Sequence, residues 1–147
     1  MKNNAFCLLV FLSFTSYSKS PSEQQLSRMI SSAECLGYMT LFNDDDQTAS
    51  VAKVRQLVDV FKDSSKSVLQ YPDMRDILAK GIFAKSGVKF SDEFYAGSIL
   101  AASREEVTNS IKENLGGKQI EPNGDLKKIW GFEARRRFDA SNCNQIK

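Results

Sequence analysis

Two cysteines, Cys35 and Cys143, lie 108 residues apart and constrain this 147-residue chain more than any other feature. A bond between them would close a loop over almost the whole sequence. In the chain-entropy model a loop of that size contributes about 4.7 kcal/mol, less any native strain. Pairing requires an oxidising compartment, and the amino terminus supplies the address. Lys2 gives a positive n-region, Ala5 to Phe14 an apolar run, and Ser16 and Ser18 flank Tyr17 as the small residues of a cleavage site. The expected boundaries are a signal peptide over 1–18 and one domain over 19–147.

The apolar run is shorter than the roughly 20 residues that span a bilayer, and no later segment is continuously apolar. The mature protein is therefore expected to be exported, periplasmic or secreted, with no stable membrane insertion. The third cysteine, Cys7, lies inside the leader and would leave with it, and Asn4, Ala5 and Phe6 do not form a lipobox before it. Cys35 and Cys143 remain as an even pair for which a disulfide is the default. With 41% hydrophobic and 26% charged residues, the chain has the composition of one globular domain. Removing the leader takes one basic residue, Lys2, so the formal charge falls from +2 to +1. No global field favours nucleic acid.

Helical periodicity runs through the rest. Ser20, Pro21 and Glu23 read as cap, first position and capping box of a first helix reaching Phe42, with Cys35 in its middle. Asn43 and Asp44 to Asp46 form a capping turn. Over Thr48 to Leu69 the residues Val51, Val54, Leu57, Val58, Phe61, Val68 and Leu69 make an apolar stripe. Met74, Ile77, Leu78, Ile82 and Phe83 carry a third helix stopping at Gly87. Ser91 caps a fourth, Asp92 to Leu115, whose small residues between Ala96 and Ser103 suit a tight helix crossing before Gly116 and Gly117. A loop with Pro122 precedes a last helix, Asp125 to about Asp139, with Leu126, Ile129, Trp130 and Phe138 as its core stripe. The expected fold is an all-α, compact bundle of about five helices, its first and last joined by the disulfide.

The chemistry that this composition permits is narrow. The chain has no histidine, which removes histidine-based triads and the commonest general base. Oxidised cysteines cannot serve as nucleophiles or metal ligands. Ser86 to Lys89 spells S-x-x-K, but the companion K-T-G is missing. A calcium loop counted from Asp44 would need glycine and glutamate at its sixth and twelfth positions, where Ala49 and Arg55 stand. Glu105 and Glu106 are adjacent and point about 100° apart on a helix. No catalytic residue, metal site or cofactor is expected.

The remaining concentration is Lys128, Phe132, Arg135, Arg136 and Arg137 on the last helix, a partner-binding set because arginine and aromatic side chains anchor protein interfaces. Cys35, Leu36, Gly37 and Tyr38 spell C-x-G-Y, which resembles a segment of the small periplasmic immunity proteins that neutralise amidase toxins of type VI secretion. The layout is similar too: a leader, a cysteine in the first helix, a helical body and a late cysteine. That resemblance implies a non-enzymatic binding protein of the bacterial envelope that sequesters or inhibits another protein. The competing expectations are a small cell-wall hydrolase or accessory enzyme using a lone carboxylate such as Glu105 or Glu34, and a structural envelope protein.

Overall fold

The structure is a computed structural model, described here over residues 20–78, 88, 90–116 and 124–147. Among these residues there are six α-helices and no strand. They are α1 (Glu23–Met39), α2 (Asp44–Ala49), α3 (Val51–Leu69), α4 (Pro72–Leu78), α5 (Asp92–Asn114) and α6 (Gly124–Ala140). A single 3-10 turn, Cys143–Gln145, follows α6.

The capping box of α1 sits two residues beyond its expected place. Ser22 is the cap; its hydroxyl accepts from the Gln25 amide at 3.2 Å while the Gln25 side chain accepts from the Ser22 amide at 3.0 Å. Ser22 and Gln25 have the same spacing as Ser20 and Glu23, and the later pair leaves Pro21 outside the helix. α1 ends at Met39, where the Thr40 hydroxyl donates to the Gly37 carbonyl. Phe42 lies past the helix and is still fully buried.

The expected capping turn is itself a short helix, α2, and Asp44 to Asp46 occupy its first turn rather than its cap. The helix expected from Thr48 begins at Val51, because the chain breaks at Ser50. Its buried row is Leu57, Val60, Phe61, Ser64, Ser65, Val68 and Leu69, whereas Val51 and Val58 face solvent. The two serines can enter the core because their hydroxyls donate back to the Val60 and Lys62 carbonyls. Ser91 caps α5 as expected, accepting from the Phe94 amide at 3.3 Å. Gly116 ends α5 at φ +74°, in the left-handed region that favours glycine. The third helix is seen as α4, and its expected stop at Gly87 lies outside the described residues, as do Ser86, Lys89, Gly117 and Pro122.

α1 is the central element and packs against α3, α5 and α6. Met29 and Ala33 meet Phe61 and Val68 of α3. Further along, Cys35, Tyr38, Met39 and Phe42 join Leu57, Val107 and Ile111 with Trp130, Ala134 and Phe138 of α6. The Phe42 and Phe138 rings meet edge-on at 5.4 Å. The tight crossing between α1 and α5 sets Gly37 of α1 against Val107, Arg104 and Ser103 of α5, so the expected run of small residues meets it at its last member, Ser103. A Cβ on Gly37 would stand 3.3 Å from Val107 and 3.4 Å from the Arg104 Cα. Gly97 has open space around it, and Ala101 and Ala102 are exposed. A run of small residues permits close approach on any side of a helix and does not say which side has a neighbour.

Past α6, Asn142 adopts φ +54°, a left-handed conformation that asparagine tolerates better than most residues. The chain turns there and brings Cys143 to α1. Cys35 and Cys143 form the disulfide, with Cα atoms 5.7 Å apart and both residues buried. Polar contacts hold the segment beyond it. Lys53 donates to the Asn144 and Ile146 carbonyls at 3.1 and 2.8 Å, and Arg28 to a backbone oxygen of Lys147 at 2.6 Å. Burial, reinforced by the charge of Lys147, pulls the Lys53 ammonium pKa below its ordinary value.

Candidate functional site

Successive residues of an α-helix are rotated by about 100°, so the sides of α6 separate cleanly. Trp130, Ala134 and Phe138, four residues apart, form the buried row. Lys128, Phe132 and Arg136 repeat at the same interval on a row about 200° away and face solvent. Phe132 is 69% exposed, and beside it Ile129, expected in the core, is 47% exposed. Ile129 is one position out of phase with the buried row, which tertiary packing filled with Ala134 instead. Lys128 and Phe132 line a shallow concavity together with Asn43, Asp44 and Asp45. Across it Lys127 pairs with Asp44 at 2.9 Å.

The five residues read from the sequence thus divide. Lys128, Phe132 and Arg136 share the outer row. Arg135 folds back, its guanidinium 5.5 and 5.9 Å from the Phe42 and Phe138 ring centroids and 3.3 Å from the Asp139 carboxylate. Arg137 turns inward. Its side chain is only 13% exposed, bonding Glu133 at 2.8 Å and the Ser110 hydroxyl and carbonyl of α5 at 2.6 and 3.2 Å. Glu133 also takes two bonds from Arg136, at 2.7 and 2.8 Å. The Arg136 bonds and then those from Arg137, working against partial burial, pull the Glu133 pKa down to about 2. Sequence reading overlooked Glu133, although its spacing of three and four residues to these arginines is that of helical ion pairs.

A second concavity lies between α1 and α5, with a volume of about 200 Å³. α1 contributes Ile30, Glu34 and Tyr38 at four-residue spacing, and α5 contributes Ser103, Glu106, Val107 and Ser110. Gly37 brings the helices together at one edge. The buried Tyr38 hydroxyl donates to Glu34 Oε1 at 2.7 Å. Burial pushes the Tyr38 pKa up, the Glu34 bond and charge add to this, and Ser141 and Arg137 oppose it. Tyr38, the last residue of C-x-G-Y, is therefore a wall of this recess. Of the carboxylates weighed as lone catalytic groups, Glu34 lines the recess. Glu105 lies outside it on an exposed face of α5 with Glu106 and Glu113.

Among the described residues no group of three or more potential metal-ligating side chains is assembled, and no helix is long and apolar enough to cross a membrane. No family model, characterised protein or solved structure matches the chain.

Proposed function

We propose that the mature chain is an exported, non-enzymatic binding protein of the bacterial periplasm or cell envelope. It sequesters or inhibits another protein, as an immunity protein does. The observation that carries this reading is the outer row of α6, where Ile129 and Phe132 stand exposed between Lys128 and Arg136. Full burial of such a side chain is worth about 1.5–3 kcal/mol, and Ile129 and Phe132, 47% and 69% exposed, forgo about half or more of it. Arginine and aromatic side chains are the usual anchors of protein contacts. The row is rigid, because the opposite side of the same helix is packed into the core beside a disulfide. The leader at residues 1–18 and the C-x-G-Y segment support the same reading, and the oxidised Cys35–Cys143 pair is consistent with export.

The test is capture from a periplasmic extract by the immobilised mature protein, followed by identification of what is held. A Phe132→Asp, Lys128→Glu double variant is expected to lose the captured protein while keeping its helical circular dichroism and its disulfide. Retained capture would discard this face. Peptidoglycan zymography addresses the enzymatic alternative, since a binding protein leaves the gel intact and a cleared band would refute the non-enzymatic reading.

A further inference from the structure

We propose that the recess between α1 and α5 is a receptor for one arginine side chain of a polypeptide ligand. The proposal rests on reading the chain as a protein binder and gives the partner a chemistry, at a surface separate from the outer row of α6. The walls combine two features that match an arginine along its length. Ile30, half exposed at the recess, and the buried Val107 offer apolar surface to an alkyl stem. Glu34, Glu106, Ser103 and Ser110 supply hydrogen-bonding oxygens to the same lining.

Glu34 Oε1 is occupied by the Tyr38 hydroxyl, and its second oxygen has no donor among the described residues. The Glu106 carboxylate likewise takes no bond or ion pair there, and the lining includes no lysine or arginine. Behind the lining, Arg137 reaches Ser110 at 2.6 Å and shares Glu133 with Arg136, so its charge is turned toward α6 and only partly offset there. The lining itself thus carries two carboxylates and no cation. A guanidinium presents five donors in a planar fork, suited to carboxylates arriving from two helices, whereas an ammonium presents three from a single point. Tyr38 holds Glu34 in place before any ligand arrives, and Gly37 fixes the separation of the helices to within van der Waals contact. The site is preorganised, which lowers the cost of binding.

The experiment is a heteronuclear NMR titration of the oxidised mature protein with three probes: N-acetyl-arginine amide, its neutral isostere N-acetyl-citrulline amide, and N-acetyl-lysine amide. Saturable shifts are expected for arginine at residues 30–38 and 103–110, with citrulline and lysine weaker by about tenfold. A Glu34→Gln, Glu106→Gln double variant should lose the response, and Glu105→Gln should keep it. The spectra themselves report that each variant is folded. Equal binding of citrulline or lysine, shifts elsewhere or none, or a response that survives in the double variant would overturn the proposal. Because the probes are small molecules, failure here leaves capture through α6 unaffected, and loss of capture in the α6 variant leaves the arginine response unaffected.

Discussion

α1 and α5 form the two sides of the same recess, yet they are held in the molecule by different forces. α1 buries seven of its 17 residues, is bonded covalently to the end of the chain through Cys35, and touches every other long helix. α5 is longer, at 23 residues, but buries only Tyr95, Val107 and Ile111. Polar ties from its neighbours make up part of its attachment. Arg75 of α4 bonds Asp92 at 2.7 Å near its start, and Arg137 of α6 bonds Ser110 toward its end. Apolar and covalent attachment tolerates changes of pH and salt, whereas polar attachment does not. The recess therefore has one wall held by the core and the disulfide, and one wall held at the crossing by Val107 and Ile111 with polar ties added near its ends.

Breaking the α1 side should have the largest effect. Replacing Cys35 and Cys143 together by alanine is expected to cost about 2–5 kcal/mol, measured as a lower urea midpoint than that of the oxidised protein. A midpoint equal to the oxidised one would mean that the apolar cluster alone holds α1 to α6. Next comes the crossing itself. Gly37→Val pushes a branched side chain against Val107 and the α5 backbone and should cost about 1–3 kcal/mol by overpacking. It should also open the recess, so that the arginine response weakens more than stability alone predicts.

On the polar side, Glu133 carries a pKa of about 2 in the folded protein against an ordinary 4.5. A depressed carboxylate stabilises the fold above its unfolded pKa, and the contribution disappears as pH falls through the folded value. The stability difference between the wild type and Glu133→Gln should therefore shrink between pH 4.5 and about 2. A constant difference across that window would show that Glu133 does not anchor Arg136 and Arg137. The smallest effect is expected on the open side of α5. Gly97→Ala meets no neighbouring atom and should stabilise by about 0.5–1 kcal/mol through helix propensity. A loss of stability would reveal a contact at that position.

The features legible in the sequence were those set by local chemistry. Ser91 caps α5 because a side-chain oxygen before a helical run satisfies its free amides, and this requires no distant partner. The helical class follows from periodicity, and the disulfide from the even pair of cysteines outside the apolar amino-terminal run. The errors have a common cause. Periodicity puts Ile129 in the core and leaves Ser64 and Ser65 out of it, because several helical rows contain apolar residues and only the neighbouring helices select one. The small residues of α5 mark a crossing, but only packing selected among them: Ser103 meets Gly37 of α1, whereas Gly97, Ala101 and Ala102 stay open. At the candidate site, residue type marked Lys128, Phe132 and the three arginines as a group. Only packing separated the outward Arg136 from Arg137, which belongs to the interior.

The sequence by itself determined that this chain forms helices, where α5 begins, and which two sulfurs meet. These follow from hydrogen bonding within a few residues and from cysteine number, both properties of the chain read along its length. The tertiary structure decided which side of each helix is buried, which charges are neutralised internally, and that Glu34, Tyr38 and Glu106 share one recess. Those outcomes depend on the rotation of each helix about its own axis relative to its neighbours, and that rotation is set by close packing between residues up to 108 positions apart.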